Sequence, residues 1–156
     1  MQPLYESVLA ILKGDNDLDD AGSLHSILHV IATGDDDPRI YKTSVQAHTL
    51  AANSGTRWIT MSIASKVAED CEQIEDVQIV EFVIHVWVAE DSSEMGEYIL
   101  ERVQDLLDGA ALATADLLAW YCRWLGDTGA LFEPETRTWH LQGRYTCMVM
   151  EVGDLP

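Results

Sequence analysis

Carboxylates, histidines and cysteines are the residues here that could do chemistry, and their spacing decides what each set can do. The run Asp15-Asn16-Asp17-Leu18-Asp19-Asp20 has the alternating oxygen donors of a calcium-binding loop. Such a loop needs glycine at its sixth position and a bidentate glutamate at its twelfth. Asp20 and Ser26 stand there instead, so the run reads as a solvated loop. Weak divalent-cation binding, at this run or at Asp35–Asp37, is the alternative. His25 and His29 are four apart, but Ser26 replaces the glutamate of a His-Glu-x-x-His zinc motif and no third ligand is evident. They read as a hydrogen-bonded pair. Cys71, Cys122 and Cys147 lack Cys-x-x-Cys spacing, which gives zinc little support. Cys122, between Tyr121 and Arg123, could be a thiol activated by a cation. With no histidine nearby it reads instead as a buried small hydrophobe. Nucleophile-elbow, phosphate-loop and dinucleotide fingerprints are absent. No catalytic residue, metal or cofactor is expected.

The five tryptophans, Trp58, Trp87, Trp120, Trp124 and Trp139, say more. Trp87 shares a strand face with Glu81 and His85, opposite a Val/Phe/Ile face. A large aromatic on the polar side of a sheet marks a candidate protein contact. Trp87, His85 and Glu81, with Trp139 and Arg144 of the last strand, make up the candidate protein interface.

The elements that must position these residues follow from periodicity. Pro3 suits a first helical turn, Leu4, Val8, Ile11 and Leu12 keep helical spacing, and Gly14 ends the helix. Leu24, Ile27, Leu28 and Ile31 suggest a second short helix ending at Gly34, and Asp35-Asp36-Asp37-Pro38 breaks the chain. Residues 41–55 show no clean period. Arg57 to Ala64 reads as a strand, and Asp76 to Ala89 is the strongest one. There Val80, Phe82, Ile84, Val86 and Val88 line one face. Asp91 or Ser92 caps a helix over about 93–108, with Met95, Ile99, Val103, Leu106 and Leu107 as its apolar stripe and Gly109 as its stop. Leu117 to Leu125 is apolar all round and fits either a helix or a buried strand. Turns at 126–129 and 133–135 precede a last strand, in which Trp139, Leu141, Tyr145, Cys147 and Val149 alternate with His140, Gln142, Arg144 and Thr146. The order predicts an α+β fold: a mainly antiparallel sheet with helices packed on one face, plus an extended β-ribbon near the C-terminus.

The 156 residues suit a single domain, spanning 1–156, with a core of real size. Nine Lys+Arg stand against 27 Asp+Glu, a formal charge of −18. Phosphate backbones and anionic membranes both call for basic surface, so neither is an expected partner. No apolar stretch approaches the ~20 residues of a membrane span, and no secretory signal opens the chain. The isolated, odd-numbered cysteines fit a reducing cytoplasm.

Several of these stretches together carry a resemblance. They are the helix Leu4–Lys13, the strand entered through Arg57-Trp58-Ile59, and the long strand ending His85-Val86-Trp87-Val88. After them come the helix Glu94–Leu107 closing on Asp108-Gly109, and the ribbon Leu131-Phe132-Glu133-Pro134-Glu135 leading into Trp139-His140-Leu141-Gln142-Gly143-Arg144-Tyr145. This order resembles the small tail-completion or tail-terminator proteins of long-tailed bacteriophages, over about two thirds of the chain. Residues 21–55 fit poorly and read as an insertion. The resemblance implies a non-enzymatic virion protein, assembled in the host cytoplasm as a homo-hexamer ring at the head-proximal end of the tail. Such a ring ends polymerisation of the tail tube protein and meets a neck or head-completion protein, while DNA passes its channel without specific binding. The alternatives are a head–tail connector or neck adaptor, and a small acidic adaptor or inhibitor that binds a basic protein.

Overall fold

The computed structural model describes residues 2–15, 40–41, 57–68, 77–115 and 117–151. Along them run helix α1 (Gln2–Gly14), strands β1 (Ile40–Tyr41), β2 (Arg57–Ala68) and β3 (Gln78–Val88), and helix α2 (Glu94–Leu107). Strands β4 (Leu117–Ala119), β5 (Arg123–Asp127), β6 (Leu131–Glu133) and β7 (Thr138–Glu151) follow. The second helix expected near residues 24–34, the His25/His29 pair, Cys71, Asp35–Asp37 and nearly all of the 21–55 insertion lie outside the described residues.

The fold is α+β, and its sheet is mostly antiparallel. Strand order is β1-β2-β3-β7-β4, with β5 and β6 also on β7; among the described residues only the β1–β2 pair is parallel. Strand β7 is the axis of this sheet. One of its edges pairs with β3 along its whole length, from Gln78↔Val149 to Val88↔Trp139. Its other edge takes β4, β5 and β6 in turn. Residues 117–133 thus form one interrupted strand, which turns through 134–137 and comes back as β7. The expected ribbon is the β6–β7 hairpin, three residue pairs long.

Alternation in β3 explains where the core lies. Val80, Phe82, Ile84, Val86 and Val88 are all fully buried on one face, each contributing about 1.5–3 kcal/mol of hydrophobic stabilisation. Ile59 and Met61 of β2, and Leu141, Tyr145, Cys147 and Val149 of β7, extend that layer. Both helices cover it. Leu4, Val8 and Leu12 of α1 point into the same core as Ile99, Leu100, Val103 and Leu107 of α2.

Helix α2 differs from expectation in two details. Its N-cap is Ser93 rather than Asp91 or Ser92, and the Ser93 hydroxyl donates to Glu97 Oε1 at 2.7 Å instead of capping a backbone N–H. Its buried stripe is Gly96, Ile99, Leu100, Val103 and Leu107, with Met95 and Leu106 only partly buried. The cause is close approach. A Cβ on Gly96 would stand 2.5 Å from Leu141 Cδ1 and 3.2 Å from Val88 Cγ2, so the bare backbone turns the helix inward on that side. On the strand beneath, a Cβ on Gly143 would lie 2.6 Å from Trp124 Cζ3 and 2.9 Å from Leu100 Cδ1.

The stretch 117–125 is neither a helix nor one buried strand. Its chain leaves β7 after Trp120, whose N–H still donates to the Met148 carbonyl, and Cys122 exchanges backbone hydrogen bonds with residues 109–110. It returns at Arg123, where the Asp108 carboxylate accepts from the Trp124 N–H at 2.9 Å. Cys122 points inward, but Trp120 and Tyr121 are left 43% and 74% exposed.

Two substitutions test this packing in opposite senses. Val103→Asp, which places a charge among fully buried side chains, should cost several kcal/mol and give insoluble or unfolded protein. Tyr145→Phe should be neutral or stabilising, because the buried Tyr145 hydroxyl has no hydrogen-bond partner among the described residues. Urea melts of both variants give the two signs.

Candidate functional site

The face of the sheet away from the helices carries most of the candidate interface. Register places its side chains in rows across β2, β3 and β7. Trp58, Trp87 and His140 form the first row, and Thr60, His85 and Gln142 the second. Ser62, Val83 and Arg144 come next, then Ser65, Glu81, Thr146 and Arg123. Val67, Ile79 and Met148 end the series. The face therefore runs from an aromatic and histidine end, through a charged middle, to an apolar end.

Of the expected interface residues, Trp87, His85, Glu81 and Arg144 all stand on this face. Trp139 does not. It alternates with His140, so it lies on the helix side of the sheet, where its ring contacts Phe132 at 5.0 Å. Glu81 and Arg144 are bound to one another by an exposed ion pair of 3.2 Å, worth about 0–1 kcal/mol. Trp87 is half-buried: its indole donates to Thr60 Oγ1 at 3.1 Å, and its ring lies parallel to His140 with centroids 3.7 Å apart.

A polar chain joins the first rows. Ser62 Oγ is 2.8 Å from His85 Nε2, His85 Nδ1 is 3.0 Å from His140 Nε2, and His140 Nδ1 is 3.6 Å from Glu133 Oε1. One proton arrangement satisfies the series. The Ser62 hydroxyl donates to His85 Nε2, His85 Nδ1–H donates to His140 Nε2, and His140 Nδ1–H points at the Glu133 carboxylate. Both rings are then neutral. Burial, and secondarily the His140 charge, lowers His85 to about 4, and burial lowers His140 to about 4.

A serine beside a neutral imidazole suggests nucleophilic catalysis, which also needs donors aimed at a developing oxyanion. Ser62 sits in mid-strand, paired with Val83, and no such pair of donors converges on it among the described residues. The chain is better suited to tying β2, β3 and β7 together. Nor is there a cluster of three or more His, Cys, Asp or Glu fit to hold a metal among the described residues. Asp15, first of the acidic run, is engaged by Arg102 in a bidentate pair at 2.7 and 3.1 Å that fastens the end of α1 to α2. Cys122 and Cys147 are buried, and burial pushes the Cys147 thiol up to about 12 and Cys122 higher, so neither is a thiolate at neutral pH.

Two features of this face escape sequence reasoning. His140 alternates correctly on its strand, but its contact with His85 depends on the β3–β7 register, which no local signal supplies. The exposure of Trp120 and Tyr121 depends on the break in the edge strand. Their two polar-capable rings, followed by Arg123, were the available hint.

Comparison places this fold among known structures. No family model matches the chain, and no curated protein is similar to it in sequence. A chain from the virion of the native gene transfer agent particle shares its fold, with a TM-score of 0.70 over 94% of this chain and 93% of that one. Identity between the two is 13%, so the likeness is one of architecture.

The histidine pair predicts a pH effect of definite sign. Its folded-state values lie below the unfolded 6.5, so its stabilising contribution is complete above about pH 6.5 and is lost as pH falls towards 4. Protonating the surplus carboxylates relieves repulsion and works the other way. Thermal melts from pH 7 to 4.5 should therefore fall more steeply for the wild type than for a His85→Gln/His140→Gln variant. Parallel profiles would show that the pair is not neutral in the folded state.

Proposed function

We propose that this chain is a structural, non-enzymatic virion protein of a phage-type particle. The observation that carries the proposal is the fold shared, nearly end to end, with a chain of the gene transfer agent virion. Within that class the element order resembles the tail terminators. In this reading six copies form a ring on the head-proximal end of the tail tube, end its growth and present a surface to the neck. The outer sheet face bearing Trp87, His85, Glu81 and Arg144 then belongs to the assembled contacts, and residues 1–156 act as one domain.

Charge supports a passive channel. Six copies at −18 each carry −108 before counterions, and a ring of that net charge repels duplex DNA rather than gripping it. None of the described helices is long and apolar enough to cross a membrane.

The test is assembly across a salt series. Repulsion between like copies opposes ring closure and weakens as salt shortens the Debye length to about 10 Å near 0.1 M. Sedimentation and native mass spectrometry, alone and with isolated tail tubes, should show a sixfold species that strengthens with salt. Labelled duplex DNA should not bind at physiological salt. Monomer at every concentration, with no attachment to tube ends, overturns the ring, and tight DNA binding overturns the passive channel.

A further inference from the structure

The apolar end of the outer sheet face is an open groove. Ile79, Met148, Trp120 and Tyr121 line it with Arg123, and Val67 (58% exposed) extends it across β2. Two aromatic rings with an arginine beside them are the composition of an interface centre rather than of a solvated edge. Arg123 is exposed and makes no ion pair among the described residues, while Arg144, one row away, is paired with Glu81. With Glu81 and Arg144 neutralising one another, Arg123 is the one charged side chain among the described residues that line the groove, a cation on a chain whose net charge is −18. It therefore calls for an acidic occupant.

The opposite side of the molecule offers one. Glu94, Glu97, Glu101 and Asp105 are all exposed on α2, and the exposed C-cap Asp108, whose carboxylate accepts from the Trp124 N–H, follows them. Their spacings of three and four residues place them in one stripe along the helix. Like charges four apart, and carboxylates in the last turn, each cost an isolated helix a few tenths of a kcal/mol. The helix's one cation, Arg102, is engaged by Asp15, and Glu97 and Glu101 border a cleft with Trp124, Ala130 and Leu141 on the helix side of the sheet.

We propose that the Trp120/Tyr121 groove of one copy receives the acidic stripe of α2 from a second copy, with Arg123 set against its central carboxylates. Groove and stripe lie on opposite sides of the sheet. The contact is thus head-to-tail, the kind that closes into a ring when its rotation permits. The proposal rests on the ring reading above and supplies the surfaces that reading lacks. These local pairs are few beside the repulsion between whole copies, so added salt still favours assembly.

The test uses the full chain at concentrations where it assembles, alone or on isolated tail tubes. A benzophenone amino acid at exposed position 121, in a mixture of light and heavy-nitrogen copies, should crosslink between copies to residues 94–108. Arg123→Glu and Glu101→Arg should each weaken self-association about tenfold or more, through a like-charge contact, and together restore it to within about threefold. Both positions are exposed, and circular dichroism checks that each variant is folded. Rings that persist with crosslinks elsewhere, or reversals that do not compensate, overturn this contact and leave the ring standing. A wild-type chain that never assembles overturns both.

Discussion

Helix α2 reaches the sheet through two residues that have no side chain, and the rest of the packing depends on that contact. With Gly96 on the helix and Gly143 on β7, the backbones come close enough for Leu141, Leu100 and the Trp124 ring to fill the space that Cβ atoms would take. At that depth Ile99 and Val103 meet the buried face of β3. The same depth brings Arg102 into reach of Asp15, whose side chain is almost wholly buried, and so fastens α1 over the same core. A bidentate pair with one buried partner is costly to break, because it leaves a charge unsolvated. The helices therefore do not form an independent layer. They are held against the sheet by one close approach and locked to each other by one ion pair.

Much of this was legible where local pattern and tertiary environment agree. The β3 alternation, the α1 spacing ending at Gly14 and the α2 span closing before Gly109 each reflect one dominant periodicity, and each stands close to where that periodicity puts it. Legibility failed where partners distant in sequence decide the outcome. The α2 stripe is rotated towards Gly96 and Leu100 because a glycine scores as neither apolar nor buried until its neighbour is known. Residues 117–125 are apolar, yet the edge strand they form is broken by backbone bonds to residues 109–110, and this turns Trp120 and Tyr121 outward. For the candidate site, Glu81, His85 and Trp87 were correctly grouped on one face by alternation alone. Their relation to His140 and Arg144 needed the strand register, and Trp139 belongs to the other face.

Nine Lys+Arg are distributed among 27 carboxylates. Arg57 is bound to Glu90, Arg102 to Asp15 and Arg144 to Glu81, so three arginines are spent neutralising carboxylates of their own chain. Over the whole chain carboxylates still exceed Lys+Arg by 18, so the surface is net negative. Such a surface keeps copies apart in dilute solution and makes random sticking unfavourable. It also means that any stable contact between copies must concentrate its apolar area and its remaining positive charge in a small region.

The interrupted edge of the sheet has a consequence for how such a chain can aggregate. Beyond β7 the last strand is cut into pieces of three, five and three residues, separated by segments that break its regular pairing. A foreign strand adding here would find no continuous row of free amide and carbonyl groups to copy, and so no template for strand-upon-strand growth. On this side of the sheet, backbone geometry disfavours fibre extension. Association is left to patterned surfaces, whose number and angles can stop it at a finite size.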